Sequence, residues 1–282
     1  QEAWTAALNA HGDSLFDRPA ADVSFPGARR LLTAEEGLNP SGERIHARLL
    51  ESTSDGLDPT RYHKEAIAAA LAGSDLASVD LLLFDGAMRY AADMASTDAA
   101  PSAAPGLVTA VEAGTVDAWL AGLRPDHPQY PKLMAAAVTY AEIVAAGGWP
   151  TAMPLLPLPD PKSPFRYKAK YRRYPDGVVE RIKARLEGER LYDGPIDNSW
   201  DDALSDAVVR YRRNNQLSED AWIDFEMTRA MQVPAQFRLA QIHLNLARLR
   251  KSHFGKDPYT VYVNVPAYSG ELWDKGERKL TF

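Results

Sequence analysis

The sequence of 282 residues predicts a mainly α protein with a short C-terminal β segment. Three observations carry this. Apolar residues recur at three- and four-residue steps through most of the first 250 positions, which is the helical period. Six prolines fall between Trp149 and Pro164, so the chain there is an extended connector between two helical parts. Finally, YTVYVNV at 259–265 alternates Tyr259, Val261, Val263 and Val265 with Thr260, Tyr262 and Asn264, a period of two rich in β-branched and aromatic residues.

The elements follow in order. DGLDPTRY at 55–62 combines Asp-Gly with Asp-Pro and reads as a tight turn introducing a helix. Leu76–Met94 carries Leu82, Leu83, Met88, Ala91 and Ala92 on helical spacing, and PSAAPG at 101–106 reads as a loop. Pro128–Ala146 is a helix with Pro128 in its first turn, stopped by Gly147-Gly148 and kept stopped by Pro150. Beyond the connector, Val178, Val179, Ile182 and Leu186 share one face of a helix that Gly188 can end. Ser199 and Asp202 have the spacing of a capping box. Trp200, Leu204, Ala207, Val208 and Tyr211 then form the apolar stripe. Further helices are predicted at 219–231 and at Pro234–Ser252. Short strands are predicted at 269–273 and 278–282 around a turn at Asp274–Glu277. So few strands do not bury an apolar face alone. Either these strands dock on the helical part or the protein continues beyond them; the second, an unfinished sheet completed by other polypeptide, is the expectation.

Composition narrows the chemistry. With 45% apolar and 25% charged residues, disorder and coiled coil are excluded as the main state. No apolar run reaches the roughly 18–20 residues of a membrane span, and any signal peptide is expected to have been removed already. There is no cysteine, so no disulfide, thiolate metal site or cysteine nucleophile exists within these residues. The six histidines form no HxxxH or HExxH pair, and GxSxG, Walker and GxGxxG patterns are missing. No catalytic residue, metal ligand or cofactor is therefore assigned. The net charge of -6 divides unevenly, -11 over residues 1–160 and +5 over 161–282. FRYKAKYRRY at 165–174 interleaves rings and cations, a pattern able to grip nucleic acid or an anionic glycan. Packing on a neighbouring domain is the expectation, and no nucleic-acid partner is expected of an acidic chain with no accompanying motif.

Four segments resemble, in order, those of the large periplasmic L,D-transpeptidases of Gram-negative bacteria. DGLDPTRY resembles the turn of their scaffold domain, and PQYPKLMAAAVTYAEIVAAGGWP at 128–150 the scaffold helix with its GGWP stop. VVERIKARL and YDGPIDNSWDDALSDAVVRYRRNNQL, within 178–217, resemble the peptidoglycan-binding module. RLAQIHLNLARLR and YTVYVNVPAY, within 238–268, resemble the connecting helix and the first catalytic strand. The module departs from the family pattern: Tyr211-Arg212 replaces an FQ pair, and DAWIDFEMT from Asp220 replaces a Gly-containing turn.

The resemblance implies a helical scaffold domain at 1–150, a Pro-rich and basic linker at 151–175 and a small helical peptidoglycan-binding-like domain at 176–234. A connecting helix at 235–257 and the initial strands of an incomplete catalytic-type β-domain at 258–282 would follow. It implies a periplasmic, cell-envelope location and a scaffold and wall-binding role beside an activity that forms 3–3 cross-links between stem peptides. The partners would be peptidoglycan, through glycan strand and stem peptides, and a second polypeptide bearing the catalytic Cys. The implied contacts are Arg172, Arg173, Arg181, Lys183, Arg212 and Arg213 for stem-peptide carboxylates, and Trp200, Tyr211 and Trp222 for sugar faces. Asn245 and Arg248 match the connecting-helix pattern and read as structural. The alternative is a non-enzymatic wall or protein-partner scaffold whose strands at 258–282 offer an interaction edge.

Overall fold

The computed structural model describes residues 2–11, 15, 30–95, 104–153, 156, 174, 176–252, 254, 257–265 and 268–282. The protein is mainly α with a three-stranded antiparallel sheet at the C-terminal end, as the sequence predicts. Cα packing divides it into two compact units. One holds Gln1–Ala137, Ile242–Tyr262 and Glu271–Thr281; the other holds Val138–Gln241, Val263–Gly270 and Phe282.

The first unit is built around α4 (Leu76–Ala95), on which α1 (Glu2–His11), α2 (Pro40–Leu50), α3 (Lys64–Ala72) and the 3-10 turn Pro59–Tyr62 pack. The sequence of α4 is apolar nearly all round, as a core helix must be, and Val79, Leu81, Leu82, Leu83 and Tyr90 are fully buried. Its buried Asp80 needs partners. The carboxylate accepts from the backbone N–H of Leu31 (3.1 Å), Leu32 (2.6 Å) and Thr33 (2.9 Å) and from Thr33 Oγ1 (3.2 Å). That pins the segment ahead of α2, which Asn39 caps by accepting from Gly42 N at 2.9 Å. Next come α5 (Ala104–Glu112) and α6 (Val116–Gly122), packed on each other, then α7 (Tyr130–Ala145).

The second unit encloses a core from α8 (Val178–Gly188), α9 (Asp202–Asn214) and α10 (Phe225–Met231), including Val179, Ile182, Leu186, Leu204, Val208, Tyr211, Ile223 and Met227. The division of the chain falls within α7 and within α11 (Ala235–Arg250). Trp149 of the GGWP stop is held by its indole N–H donating to Val233 O at 2.9 Å. The Arg185 guanidinium lies 3.8 Å from its ring centroid. Arg185 in turn donates to Glu189 at 2.6 Å, and Tyr140 donates to the other Glu189 oxygen at 2.9 Å.

Several boundaries differ from the sequence reading, each for a local reason. α5 begins at Ala104, inside the segment read as a loop, because Pro105 fits a first helical turn. α7 begins at Tyr130, two residues after Pro128, and Pro131 occupies the tolerated place. Its end is as expected: Gly148 N donates to Ile143 O and Gly147 N to Val144 O, with both glycines at positive φ. At the end of α8 the left-handed residue is Arg190 (φ 60), not Gly188. Gly188 is needed for space, since a Cβ there would lie 2.9 Å from that of Trp149. The N-cap of α9 is Asp201, accepting from Leu204 N at 2.6 Å, while Ser199 donates to Asp197. Asp224 caps α10 through Met227 N, so the helix read from 219 starts at Phe225.

The sheet runs β1 (Tyr259–Asn264), β2 (Ser269–Asp274), β3 (Glu277–Thr281), in that order, with β2 central. β2 and β3 are joined by Lys275-Gly276, both at positive φ (48° and 81°), as a two-residue hairpin loop requires. The register shifts between Leu272 and Trp273. The apolar alternation of β1 faces outward: Tyr259, Val261, Val263 and Val265 are 58–72% exposed, while Thr260, Tyr262 and Asn264 are half-buried.

Asp80→Ala leaves a row of buried backbone donors without an acceptor. It is expected to lower unfolding stability by about 3 kcal/mol or more, read by urea denaturation, with Asp80→Asn losing less because one oxygen acceptor survives.

Candidate functional site

The turn that begins at Asp55 holds more chemistry than its local sequence suggests. Asp55 closes the 3-10 turn Glu51–Asp55 and is fully buried. Gly56 follows at φ 71, and a Cβ there would meet His243 Cα at 3.0 Å, so only glycine suits both the backbone and the approach of α11. Asp58 caps the next turn through Thr60 N, and Tyr62 donates to Asp93 at 2.7 Å. The Asp55 carboxylate accepts from Arg48 Nη2, from Tyr90 OH (2.9 Å) and from Tyr130 OH (3.1 Å), with Arg124 Nε at 3.8 Å. Its carbonyl accepts from Arg250 Nη1 at 2.5 Å. Burial, then the Asp55 charge, pushes the Tyr130 phenol up to about 12 and Tyr90 well above the usual tyrosine range. Both therefore remain protonated donors.

Arg124 and Tyr130 also line a pocket of about 660 Å³ within the first unit. One side of it is aromatic. His127 lies 4.6 Å from Phe254 and 5.4 Å from Tyr262 between ring centroids, and Phe254 lies 5.3 Å from Trp273. The Trp273 indole donates to Glu271, which also accepts from Arg278. His127 is buried, and its Nδ1 accepts from Gln129 N at 3.1 Å. Desolvation holds its pKa below the ordinary imidazole value, outweighing the nearby Glu271 charge, so the ring is neutral with its proton on Nε2. None of these residues was singled out as a site in the sequence, because nothing local marks them.

The residues the sequence does single out lie elsewhere. Arg172 and Arg173, with most of FRYKAKYRRY, lie outside the described residues. Arg181 is exposed. Arg213 is exposed and pairs with Glu219 at 2.7 Å. Lys183 is fully buried and donates to Asp197 and Asp201 at 2.8 Å each. Tyr211 belongs to the core of the second unit. Arg212, expected as a contact for stem-peptide carboxylates, is instead 2% exposed. Its fork donates to Ser218 O (2.6 Å), Ser218 Oγ (2.6 Å) and Trp222 O (3.2 Å) and pairs with Asp224 at 3.0 Å. It thus organises the loop between α9 and α10. Trp222 is half-buried, 5.9 Å from Arg212, and Trp200 stacks on Tyr174 at 5.8 Å. Among the described residues, no three His, Asp or Glu side chains are placed to hold a metal. Among the described residues, no helix is long and apolar enough to cross a membrane.

A family model described as "Scaffold domain" matches residues 27–136, so the chain carries a scaffold domain there. That span includes Arg48, Asp55, Tyr90, Arg124, His127 and Tyr130. Comparison with curated proteins gives no match.

The Lys183 cluster makes the stability of the second unit depend on acid. Hydrogen bonding to Lys183, then to Ser199, holds Asp197 at about 2, and Lys183 likewise lowers Asp201. Burial alone would lower Lys183, but its bonds to the two carboxylates overcome this and raise it. Depressed carboxylates stabilise the fold fully above their unfolded value of about 4 and stop doing so as pH falls towards 2. The raised Lys183 value loses its contribution only above the ordinary lysine range. Thermal melts between pH 5 and 2 are expected to fall more steeply for the unaltered chain than for Lys183→Met.

Proposed function

We propose that this chain is the scaffold and wall-binding portion of an L,D-transpeptidase of the periplasmic cell envelope, working beside an activity that forms 3–3 cross-links between peptidoglycan stem peptides. The observation that carries the reading is the scaffold domain at 27–136, followed by segments in the order that the resemblance implies. Cysteine transpeptidation needs a thiolate to attack the donor stem peptide and form an acyl-enzyme, which an amine from a second stem resolves. These residues contain no Cys, so the thiolate belongs to further polypeptide. The exposed apolar face of β1 supports this reading, since added structure would bury it, and β1 and β3 are the outer strands of the sheet among the described residues.

In this reading the module at 176–234 holds the wall. Its surface cations Arg181 and Arg213 would attract stem-peptide carboxylates, and Trp222 would pack on a sugar face. Lys183, Tyr211 and Arg212 would support that surface from within.

Purified sacculi test the assignment. The combined variant Arg181→Gln, Arg213→Gln, Trp222→Ala alters only exposed or half-buried side chains. It is expected to be retained several-fold less than the unaltered chain at low salt. Equal retention of the two would remove wall contact through this module.

A further inference from the structure

The pocket beside the Asp55 network has a charge layout suited to one class of ligand. Arg124 is its inner cation, with a side chain 34% exposed. Its Nε is buried without a hydrogen-bond acceptor among the described residues, and its only ion pair there is the long 3.8 Å approach to Asp55. Arg48 and Arg250 leave their buried Nε atoms equally unsatisfied. The Asp55 carboxylate is already taken by Arg48, and Arg250 donates to the Asp55 backbone carbonyl, so Arg124, which lines the pocket, keeps donor capacity to spare. The mouth is different. Asp126, Asp257 and Lys275 are exposed there, with no side-chain partner among the described residues. The formal charges of these four lining residues cancel, which suits neither a polyanion nor a neutral ligand. Between the two ends lies the aromatic side formed by His127, Phe254 and Trp273.

We propose that this pocket binds a zwitterionic amino acid or short peptide. Its free carboxylate is received by Arg124, its apolar side chain packs on Trp273 and Phe254, and its amine lies at the mouth by Asp126 and Asp257. A guanidinium receives a carboxylate through two parallel N–H···O bonds, and a half-desolvated site strengthens them. About 660 Å³ accommodates an amino acid or dipeptide rather than a polymer. Nothing in this assignment requires the wall-binding reading, since its pocket lies among other residues.

Calorimetric titration of the whole chain with glycyl-phenylalanine, free phenylalanine and glycyl-phenylalaninamide tests it, with 5-fluorotryptophan labelling to follow the Trp273 resonance. Saturable binding of the dipeptide or of the amino acid is expected, and which of them binds more tightly fixes the ligand's size. The amide is expected to bind about tenfold more weakly or worse, and Arg124→Gln to weaken the acid by a similar factor. The Trp273 resonance is expected to shift with the acid. If neither acid binds, if acid and amide bind alike, or if the Trp273 resonance does not move on binding, the proposal is overturned. The acid-against-amide comparison uses the unaltered chain and so does not depend on any variant folding.

Discussion

Asp55 is a fully buried carboxylate that receives Arg48, Tyr90 and Tyr130, faces Arg124, and offers its backbone carbonyl to Arg250. A charge so placed is costly to desolvate and is tolerated only with close to complete partnering. Its partners lie on α2, α4, the segment before α7, α7 itself and the end of α11. The four that hydrogen-bond to Asp55 sit 7, 35, 75 and 195 residues away along the chain. The network therefore forms only when the elements of the first unit have come together, and its geometry sets where Arg124 and Tyr130 stand in the pocket wall. Stability and the candidate ligand site thus share one set of side chains.

The second unit repeats this economy of charge on a smaller scale. Lys183, Arg185 and Arg212 are all buried, and each is satisfied by carboxylates or carbonyls of its own unit. Arg212 in particular takes over the work of a turn, gathering Ser218, Trp222 and Asp224 around one guanidinium. A bidentate, always-charged fork suits that task, and a lysine would not replace it. The positive balance of residues 161–282 consequently overstates the cationic surface, because some of that charge is internal.

Much of the architecture is legible in the residues. The stripes of α4, α8 and α9, the glycine stop after α7 and the period-two tail all follow from local rules, and each appears in the fold. Start positions moved by a few residues where two candidate caps competed, as with Ser199 and Asp201. What stayed hidden was everything set by distant partners. DGLDPTRY reads locally as a turn, and nothing near Asp55 announces that arginines 48, 124 and 250 converge on it. His127 and Trp273 come together across 146 positions of sequence in the same way. Strand alternation gave the two faces of β1 but not which one is covered, and the apolar face is the one left open.

Hydrogen exchange read by mass spectrometry on Asp55→Asn tests the central claim most directly. If the buried carboxylate closes the first unit, amide protection falls together around residues 45–62, 124–134 and 242–250, while amides in 178–231 keep theirs. Unchanged protection in those three segments would show that the first unit holds together without it.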